Sequence, residues 1–462
     1  VIDNLKISCS AGVDDINSKF LKSTKEYSSI ILSKLFNQSL NCGYLPDDWK
    51  VGKVVPIHKT GDQHSPSNYR PISLTSIPCK ILEHVIFSHL VNFLESNNFF
   101  SPAQHGFRKS FSCETQLLTF TNDLHLILDR SSQADCIFLD FAKAFDKVSH
   151  SLLLHKLSKL SIDSATLSWI HAFLTNRSQF VFANDTSSPS ASVTSRVPQG
   201  SVRGPLLFLT YVNDLPSCVS SSISLFADDC VIYREVTNKS DVSSLQCDLD
   251  RVSEWCDLWH MQLNTNKCKV IRVSRLQSDV SCYYLNHTPL QQVTTYKYLG
   301  VHISSNLSWE THIQYVTSNA NRMLGFIKRN FSAAPLSLKL LLYKTLVRTK
   351  LEYASSIWDP GTDVLTSAVE AIQNRSARFI LTNYHRTASV TSMKSSLNLP
   401  NLASRREVFR LCLFHKIYYH NHTLRDKLLA PPFYISQRLD HRHKMGVPSC
   451  NTTTFHNSFI PR

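Results

Sequence analysis

Short apolar runs mark places in the middle of the chain where acidic residues follow buried strands. The run CIFL predicts a buried strand that ends at Asp140. ISLFA and CVIY are two more apolar runs, and only Asp228 and Asp229 separate them. This arrangement predicts a β-hairpin with two carboxylates at its tip.

Apolar residues spaced three and four positions apart predict a helix from Asp241, a candidate N-cap, to His260. Its apolar positions are Val242, Leu245, Leu249, Val252, Trp255 and Trp259. The same spacing predicts an early helix that ends at Gly43, with Tyr27, Ile30, Ile31 and Leu35 on one face. It also predicts a late helix with a stripe of Ile313, Val316, Ala320, Met323 and Ile327.

Further elements fill the gaps between these. Helices are predicted in KILEHVIFSHLVNFLES and in LSLKLLLYKTLVRTKLEYA, and strands in KVIRV and YKYLGVHIS. Strands and helices therefore alternate in the middle of the chain, and helices follow them. This order predicts an α+β core with a mostly helical C-terminal part.

Composition narrows the class of protein. The 462 residues include 49 Lys and Arg against 35 Asp and Glu, a net charge of +14, and 42% of them are hydrophobic. A chain of this kind is neither disordered nor a polycation, and its charge favours a polyanionic partner, most simply nucleic acid, with a membrane surface as the alternative. The longest apolar run noted, PLLFLTYV, is far shorter than the about 20 residues that span a bilayer, so we expect no membrane partner.

The cysteines and the chain start bear on the cellular compartment. Thirteen cysteines without a C-x-x-C pair argue against a disulfide scaffold or a zinc ribbon and favour a reducing environment. The N-terminal residues do not have the pattern of a secretion signal. We therefore expect a nuclear or cytoplasmic protein that is not secreted. Because the sequence does not begin with Met, we also expect it to be a piece of a longer polypeptide.

Three carboxylates are candidates for chemistry. Asp140 lies 88 residues before Asp228 in sequence, and both would lie close together with Asp229 if their strands share one sheet. Clustered carboxylates repel each other unless cations neutralise them, and all-oxygen sites suit Mg²⁺ or Mn²⁺. Two such ions about 4 Å apart would support nucleotidyl transfer. The alternative is a polar turn with no chemical role.

Seven sequence motifs, in order over residues 45–305, resemble those of reverse transcriptases. They are NYRPISL, QHGFRKSFSCETQLL, IFLDFAKAFDKVSH, VPQGSVRGPLLFLTYVNDLP, SLFADDCVIY, LNTNKCK and KYLGVHIS. The residues of these motifs are most similar to those of the polymerases of non-LTR, LINE-type retrotransposons of the Jockey/CR1 kind. The resemblance implies a right-hand polymerase: an α+β fold with an antiparallel palm sheet flanked by helices and a mostly helical C-terminal part.

The resemblance also implies roles in the reaction. Asp140, Asp228 and Asp229 would be catalytic and would bind two Mg²⁺ ions, with Mn²⁺ as an alternative, and the carbonyl of Phe141 would complete the metal shell. Lys267 would protonate the departing pyrophosphate. Phe145 would be the ring that excludes a ribonucleotide 2′-hydroxyl.

Further matched positions would bind substrate. The nucleotide would contact Arg70, Arg108, Lys109, Gln199 and Gly200, and the primer end would contact Tyr298, Leu299 and Gly300. Guanidinium groups suit phosphate oxygens, and Gly200 permits a close backbone approach. Two positions depart from the family pattern: Phe111 stands where a second Arg is usual, and Arg203 stands where an aliphatic residue is usual.

The resemblance divides the chain into four parts. These are 1–130, fingers with an N-terminal extension; 131–305, a palm with interleaved helices; 306–385, a helical thumb; and 386–462, an extension of unknown role. Expected partners are template RNA, primer DNA and deoxynucleoside triphosphates, with an endonuclease domain in a missing N-terminal part. The second hypothesis is a decayed, non-enzymatic nucleic-acid-binding remnant, because of Phe111 and Arg203.

Overall fold

The computed structural model describes residues 1–7, 10–59, 61–193, 204–275, 281–436 and 444–461. The α-helices are α1 Ser18–Ser23, α2 Lys25–Cys42, α3 Asp47–Lys50, α4 Ile77–Ser96, α5 Cys113–Asp129, α6 Ala144–Lys147, α7 His150–Ser158, α8 Ser164–Leu174, α9 Gly204–Val212, α10 Lys239–Leu258, α11 Glu310–Asn330, α12 Leu336–Leu342, α13 Arg348–Glu352, α14 Asp363–Ile380, α15 Val390–Ser396, α16 Leu402–His420, α17 His422–Leu428 and α18 Thr453–His456. The strands are β1 Val51–His58, β2 Tyr69–Leu74, β3 Ala134–Asp140, β4 Arg177–Ala183, β5 Thr186–Ser187, β6 Ala191–Val193, β7 Ser222–Phe226, β8 Asp229–Glu235, β9 Lys269–Val273, β10 Tyr284–Leu285, β11 Thr288–Pro289, β12 Gln291–Gln292, β13 Thr295–Tyr298 and β14 Val301–Ser304. The α+β class is therefore confirmed.

The chain forms two compact units that interleave in sequence. Unit 1 contains residues 1–107, 140–220 and 248–265, and unit 2 contains residues 108–139, 221–247 and 266–462. The four-part division predicted from the sequence describes functional regions and stays a prediction.

Unit 1 is built on a sheet in which β1 is central. β1 pairs antiparallel with β2 and parallel with β4, and β4 also pairs with β5 and β6. Trp169 and Phe173 of α8 are buried in this unit, and their rings stack at 5.5 Å. Arg177 at the start of β4 donates to the carbonyl oxygens of Phe173 and Trp49, which ties the helix to the sheet.

Unit 2 contains a five-stranded sheet in the order β12-β9-β3-β8-β7. The β3–β9 and β7–β8 pairs are antiparallel, as predicted, while β12 joins β9 in parallel. Val236, just after β8, donates its N–H to the carbonyl of Gln133, just before β3. The end of β8 thus lies beside the start of β3, so these two strands are antiparallel as well.

A buried ion pair joins β3 to β9 inside this sheet. Asp135 and Arg272 form two parallel hydrogen bonds of 2.7 Å, and the hydroxyl of Tyr283 donates to the same carboxylate at 2.6 Å. Both ends of the pair are almost fully buried. The large hydrophobic core of unit 2 contains residues of α5, of the sheet and of the helices from α11 to α17, among them Trp358 and Tyr343.

Two expectations from the sequence need correction. The early helix exists as α2 and ends at Gly43 in the left-handed region, but its buried face contains Leu32 and Phe36, while Tyr27 is 74% exposed. The N-cap of α10 is Asn238, whose side chain accepts from the N–H groups of Ser240 and Asp241. Asp241 instead accepts from the N–H of Asn238, the reciprocal half of a capping box.

The predicted helix around residues 336–352 is continuous in sequence but not uniform. A π-helical turn at Tyr343–Val347 separates α12 from α13. Such turns insert one extra residue per turn and change which residues face the core. Here the turn buries Tyr343 and Val347.

In the described part of the chain, one helix is long and apolar enough to cross a membrane, judged by length and composition alone. It is α4, and half of its most apolar stretch is buried inside the protein. A core helix of a folded protein meets the same criteria, so this is weak evidence for a membrane. The sequence predicted this helix in KILEHVIFSHLVNFLES, although only the shorter run PLLFLTYV was weighed as a membrane span.

Candidate active site

The strands that carry the three predicted carboxylates are neighbours in one sheet. β3 ends at Asp140, and β8, the strand beside it, begins at Asp229. Because β3 and β8 are antiparallel, the end of one lies beside the start of the other. The sequence pattern predicted both elements and the carboxylates at their ends.

The hairpin turn between β7 and β8 lies one residue earlier than predicted, because Asp229 is the first residue of β8 and not part of the tip. Phe226 pairs with Asp229, so the loop consists of Ala227 and Asp228 alone. Ala227 has φ +56°, which a two-residue hairpin usually assigns to Gly. A side chain in this conformation costs roughly 1 kcal/mol or more, and such strain is often found at functional sites. Asp229 is exposed and Asp228 is half-buried.

The backbone after Asp140 is fixed by a short pairing with residues 262–264. The carbonyl of Asp140 accepts from the N–H of Asn264 at 2.8 Å, and the N–H of Ala142 donates to the carbonyl of Gln262 at 2.7 Å. Phe141 lies between these two bonds, opposite Leu263. Since successive carbonyls of an extended strand point to opposite sides, the carbonyl of Phe141 points away from this segment.

Phe145 lies in the short helix α6, which follows Lys143 in the left-handed region. Its ring stacks on Phe208 of α9, with centroids 4.5 Å apart and planes 27° apart. Phe208 is fully buried, whereas Phe145 is half-buried. The ring predicted to select the sugar is therefore held from one side by the core of unit 1.

Phe111 interacts with Arg108, although the sequence gave no reason to connect them. The guanidinium carbon of Arg108 lies 4.7 Å from the centroid of the Phe111 ring. This is a cation–π contact, which fixes the direction of the arginine side chain. Phe111, which stands where the family usually has Arg, thus helps to hold Arg108, a residue predicted to bind the nucleotide. Lys109 beside it is exposed.

The β13–β14 hairpin presents its turn residues and buries its tyrosine. Tyr298 pairs with Val301, and the two loop residues have φ +45° (Leu299) and +84° (Gly300). Tyr298 is 2% exposed, and its hydroxyl accepts a hydrogen bond from Gln116 at 3.0 Å. Burial raises the pKa of Tyr298 well above the usual range, and the charge of Asp229 acts in the same direction. Any primer contact here must therefore come from the turn and not from the Tyr298 side chain.

Two of the remaining predicted residues are exposed on the surface. Arg70 is exposed on β2, opposite Ile57 of β1, and Lys267 is exposed just before β9. Gln199, Gly200 and Arg203 lie outside the described residues. The roles of all the predicted site residues stay predictions.

The donor atoms fit a divalent cation by their chemistry. Three carboxylates and the Phe141 carbonyl offer only oxygen, the ligand type that Mg²⁺ and Mn²⁺ prefer. Among the residues with described positions, no group of three or more His, Cys, Asp or Glu side chains is arranged to hold a metal ion.

The chain is similar to known proteins over most of its length. Residues 57–303 match the family described as "Reverse transcriptase (RNA-dependent DNA polymerase)". The chain is 28% identical over 84% of its length to a probable RNA-directed DNA polymerase from transposon X-element of Drosophila melanogaster. It is 25% identical over 97% of its length to the RNA-directed DNA polymerase from mobile element jockey of the same species. The chain spans only 44% and 51% of the lengths of these two proteins.

Solved structures are more distant. The structure of apo telomerase from Candida tropicalis is 12% identical, with a TM-score of 0.44 over 79% of this chain and 63% of that one.

Proposed function

The chain belongs to the reverse transcriptase (RNA-dependent DNA polymerase) family, and on that premise we propose that it is the polymerase part of a non-LTR retrotransposon protein. It extends a DNA 3′-hydroxyl on an RNA template. The observation that carries the proposal is the strand order β12-β9-β3-β8-β7, in which β3, which ends at Asp140, and β8, which begins at Asp229, are neighbours. The transposon polymerases to which the chain is similar support the same assignment.

Reverse transcriptases as a family use divalent metal ions. We propose two Mg²⁺ ions, with Mn²⁺ as an alternative, held by Asp140, Asp228, Asp229 and the carbonyl of Phe141. Bound metal would lower the pKa of the attacking hydroxyl and stabilise the charge that develops on phosphate oxygens. Without a cation, the three carboxylates repel one another, which favours their separation.

The protein groups position the reacting atoms. The primer 3′-oxygen attacks the α-phosphorus, the bond from that phosphorus to the β-phosphate oxygen breaks, and pyrophosphate leaves with a proton from Lys267. Arg108 and Lys109, together with Arg70, neutralise the triphosphate. Phe145 closes the space that a 2′-hydroxyl would need.

Further matched residues hold the two strands and the incoming nucleotide. We propose that Gln199 and Gly200 contact the incoming nucleotide and that the Leu299–Gly300 turn, which Tyr298 anchors, holds the primer end. We propose template RNA, primer DNA and deoxynucleoside triphosphates as partners, with an endonuclease in another part of the parent protein. We also propose a nuclear or cytoplasmic location.

Primer extension on poly(rA)/oligo(dT) with Mg²⁺ or Mn²⁺ tests the proposal. We expect wild-type protein to incorporate dTTP and Asp228→Asn to lose incorporation while it still binds the template–primer. Asp185→Asn, the same change in an exposed turn of unit 1, is the matched control and should remain active. No incorporation by folded wild-type protein, with salt-sensitive binding retained, would instead support the decayed remnant.

A further inference from the structure

Tyr353, the residue after α13, contacts the turn of the β13–β14 hairpin directly. Its hydroxyl donates to the carbonyl of Leu299 at 2.9 Å. Its ring lies so close to Gly300 that a Cβ at that position would be 2.9 Å from the ring carbon Cε1. Gly300 is therefore required twice, by its φ of +84° and by the ring beside it.

Burial raises the pKa of Tyr353 to about 12, so its hydroxyl keeps its proton near neutral pH and remains a donor to the carbonyl of Leu299. Tyr353, Leu299 and Gly300 all belong to unit 2.

Further hydrogen bonds hold the β13–β14 hairpin and the segment around Tyr353 next to α5. Gln116 of α5 donates to the hydroxyl of Tyr298, and Ser356 donates to Glu114 of α5 at 2.5 Å. The indole N–H of Trp358 donates to the carbonyl of Tyr353 at 2.9 Å. Both the hairpin and the segment that carries Tyr353 are therefore attached to the first turns of α5.

We propose that Tyr353 is a positioning residue that fixes the Leu299–Gly300 turn, and through it the primer 3′ end. This inference rests on the proposed function. Tyr353 acts through the turn backbone and not by contact with the reacting atoms. Its loss should slow the chemical step without weakening the binding of substrates.

Tyr353→Phe is the sharpest test, because it removes the hydroxyl and keeps the ring against Gly300. We expect kcat for primer extension to fall about fivefold, the value of one ordinary hydrogen bond. The dTTP KM and the template–primer Kd should stay within about twofold, which a merely destabilised protein would not show. Tyr384→Phe, a change at an exposed tyrosine of the same unit, is the control and should leave kcat unchanged.

The outcomes separate the two proposals. An inactive wild-type protein refutes the proposed function. An active wild-type protein whose kcat is unchanged by Tyr353→Phe refutes the role of Tyr353 and leaves the polymerase assignment intact. Equal losses in kcat and in template–primer binding would also contradict a positioning role.

Discussion

His312, near the start of α11, is a buried histidine that should make unit 2 sensitive to acid. It is 1% exposed, and its Nδ1 accepts the backbone N–H of His302 on β14 at 3.3 Å. Its ring packs against Trp358, and in the described part of the chain its Nε2 has no hydrogen-bond partner. Burial lowers the pKa of His312 to about 3, and the charges of His302 and Lys297 act in the same direction.

The sign and size of the effect follow from linkage. The unfolded chain takes up a proton on His312 near pH 6.5, whereas the folded chain does so only near pH 3. Stability from this group is therefore complete above about pH 6.5 and is lost as pH falls towards 3. Between pH 7 and pH 5 the loss is about 2 kcal/mol.

Urea unfolding of wild-type protein and His312→Gln at pH 7 and pH 5 isolates this loss, because every other group titrates in both proteins. We expect the wild-type free energy of unfolding to fall by about 2 kcal/mol more than that of the variant over this interval. His422→Gln, an exposed position on α17, should fall as wild type does. If His312→Gln and wild type lose equal stability, His312 is not a neutral buried group and the reasoning is wrong.

Three further substitutions test other contacts. Phe111→Ala removes the ring under Arg108, so the dTTP KM should rise about two- to fivefold in steady-state kinetics, the value of a cation–π contact of roughly 0.5–1 kcal/mol, and Phe111→Tyr should not raise it. Asp135→Ala leaves Arg272 buried without its carboxylate and should lower the free energy of unfolding by about 3–5 kcal/mol in urea. Phe145→Ala should admit ribonucleotides in an incorporation assay, and continued exclusion of them would mean that this ring is not the sugar gate.

Hydrophobic patterns within short segments correctly predicted several strands and helices. The strand that ends at Asp140 and the hairpin around Asp228 are short apolar runs with acidic residues at their ends, and both exist. The helix α10 has a clear period, and only its first residues were misplaced, because Asp241 has the capping role of a third helical residue. Strands and helices of this kind are readable because burial repeats at a fixed interval.

The buried face of α2 could not be read in the same way. Apolar residues occupy more than one side of that helix, so spacing alone cannot select Leu32 and Phe36 over Ile30 and Tyr27. The choice is made by contacts with other elements. One of them is the T-shaped packing of Phe36 on Trp49, at 6.1 Å between ring centroids.

The part of the candidate site that was missed depends on contacts that are distant in sequence. Gln116 reaches Tyr298 across 182 residues, and Ser356 reaches Glu114 across 242 residues. Tyr353 lies at the end of a helix with a π-helical turn, and neither its period nor its neighbours identify it as a contact of Gly300. A family motif assigned the turn, but only the folded chain connects the turn to α5.

The positive charge also has a location that composition alone did not reveal. Residues 57–303, which match the polymerase family, contain 21 Lys and Arg and 21 Asp and Glu, so they carry no net charge. Residues 304–462 contain 21 basic and 8 acidic residues, a net charge of +13 out of the +14 of the chain. Several of these cations are neutralised within unit 2, such as Arg405 by Glu352 and Arg410 by Asp359.

Attraction of a polyanion by net charge is therefore a property of the C-terminal helices, whereas the family-matched region must rely on single placed groups such as Arg108. Because phosphate neutralisation makes affinity fall with salt in proportion to the number of contacts, the salt dependence of template binding should come mainly from residues 304–462. The net charge that first suggested a nucleic-acid partner thus lies almost entirely outside the family-matched region that contains the proposed catalytic carboxylates.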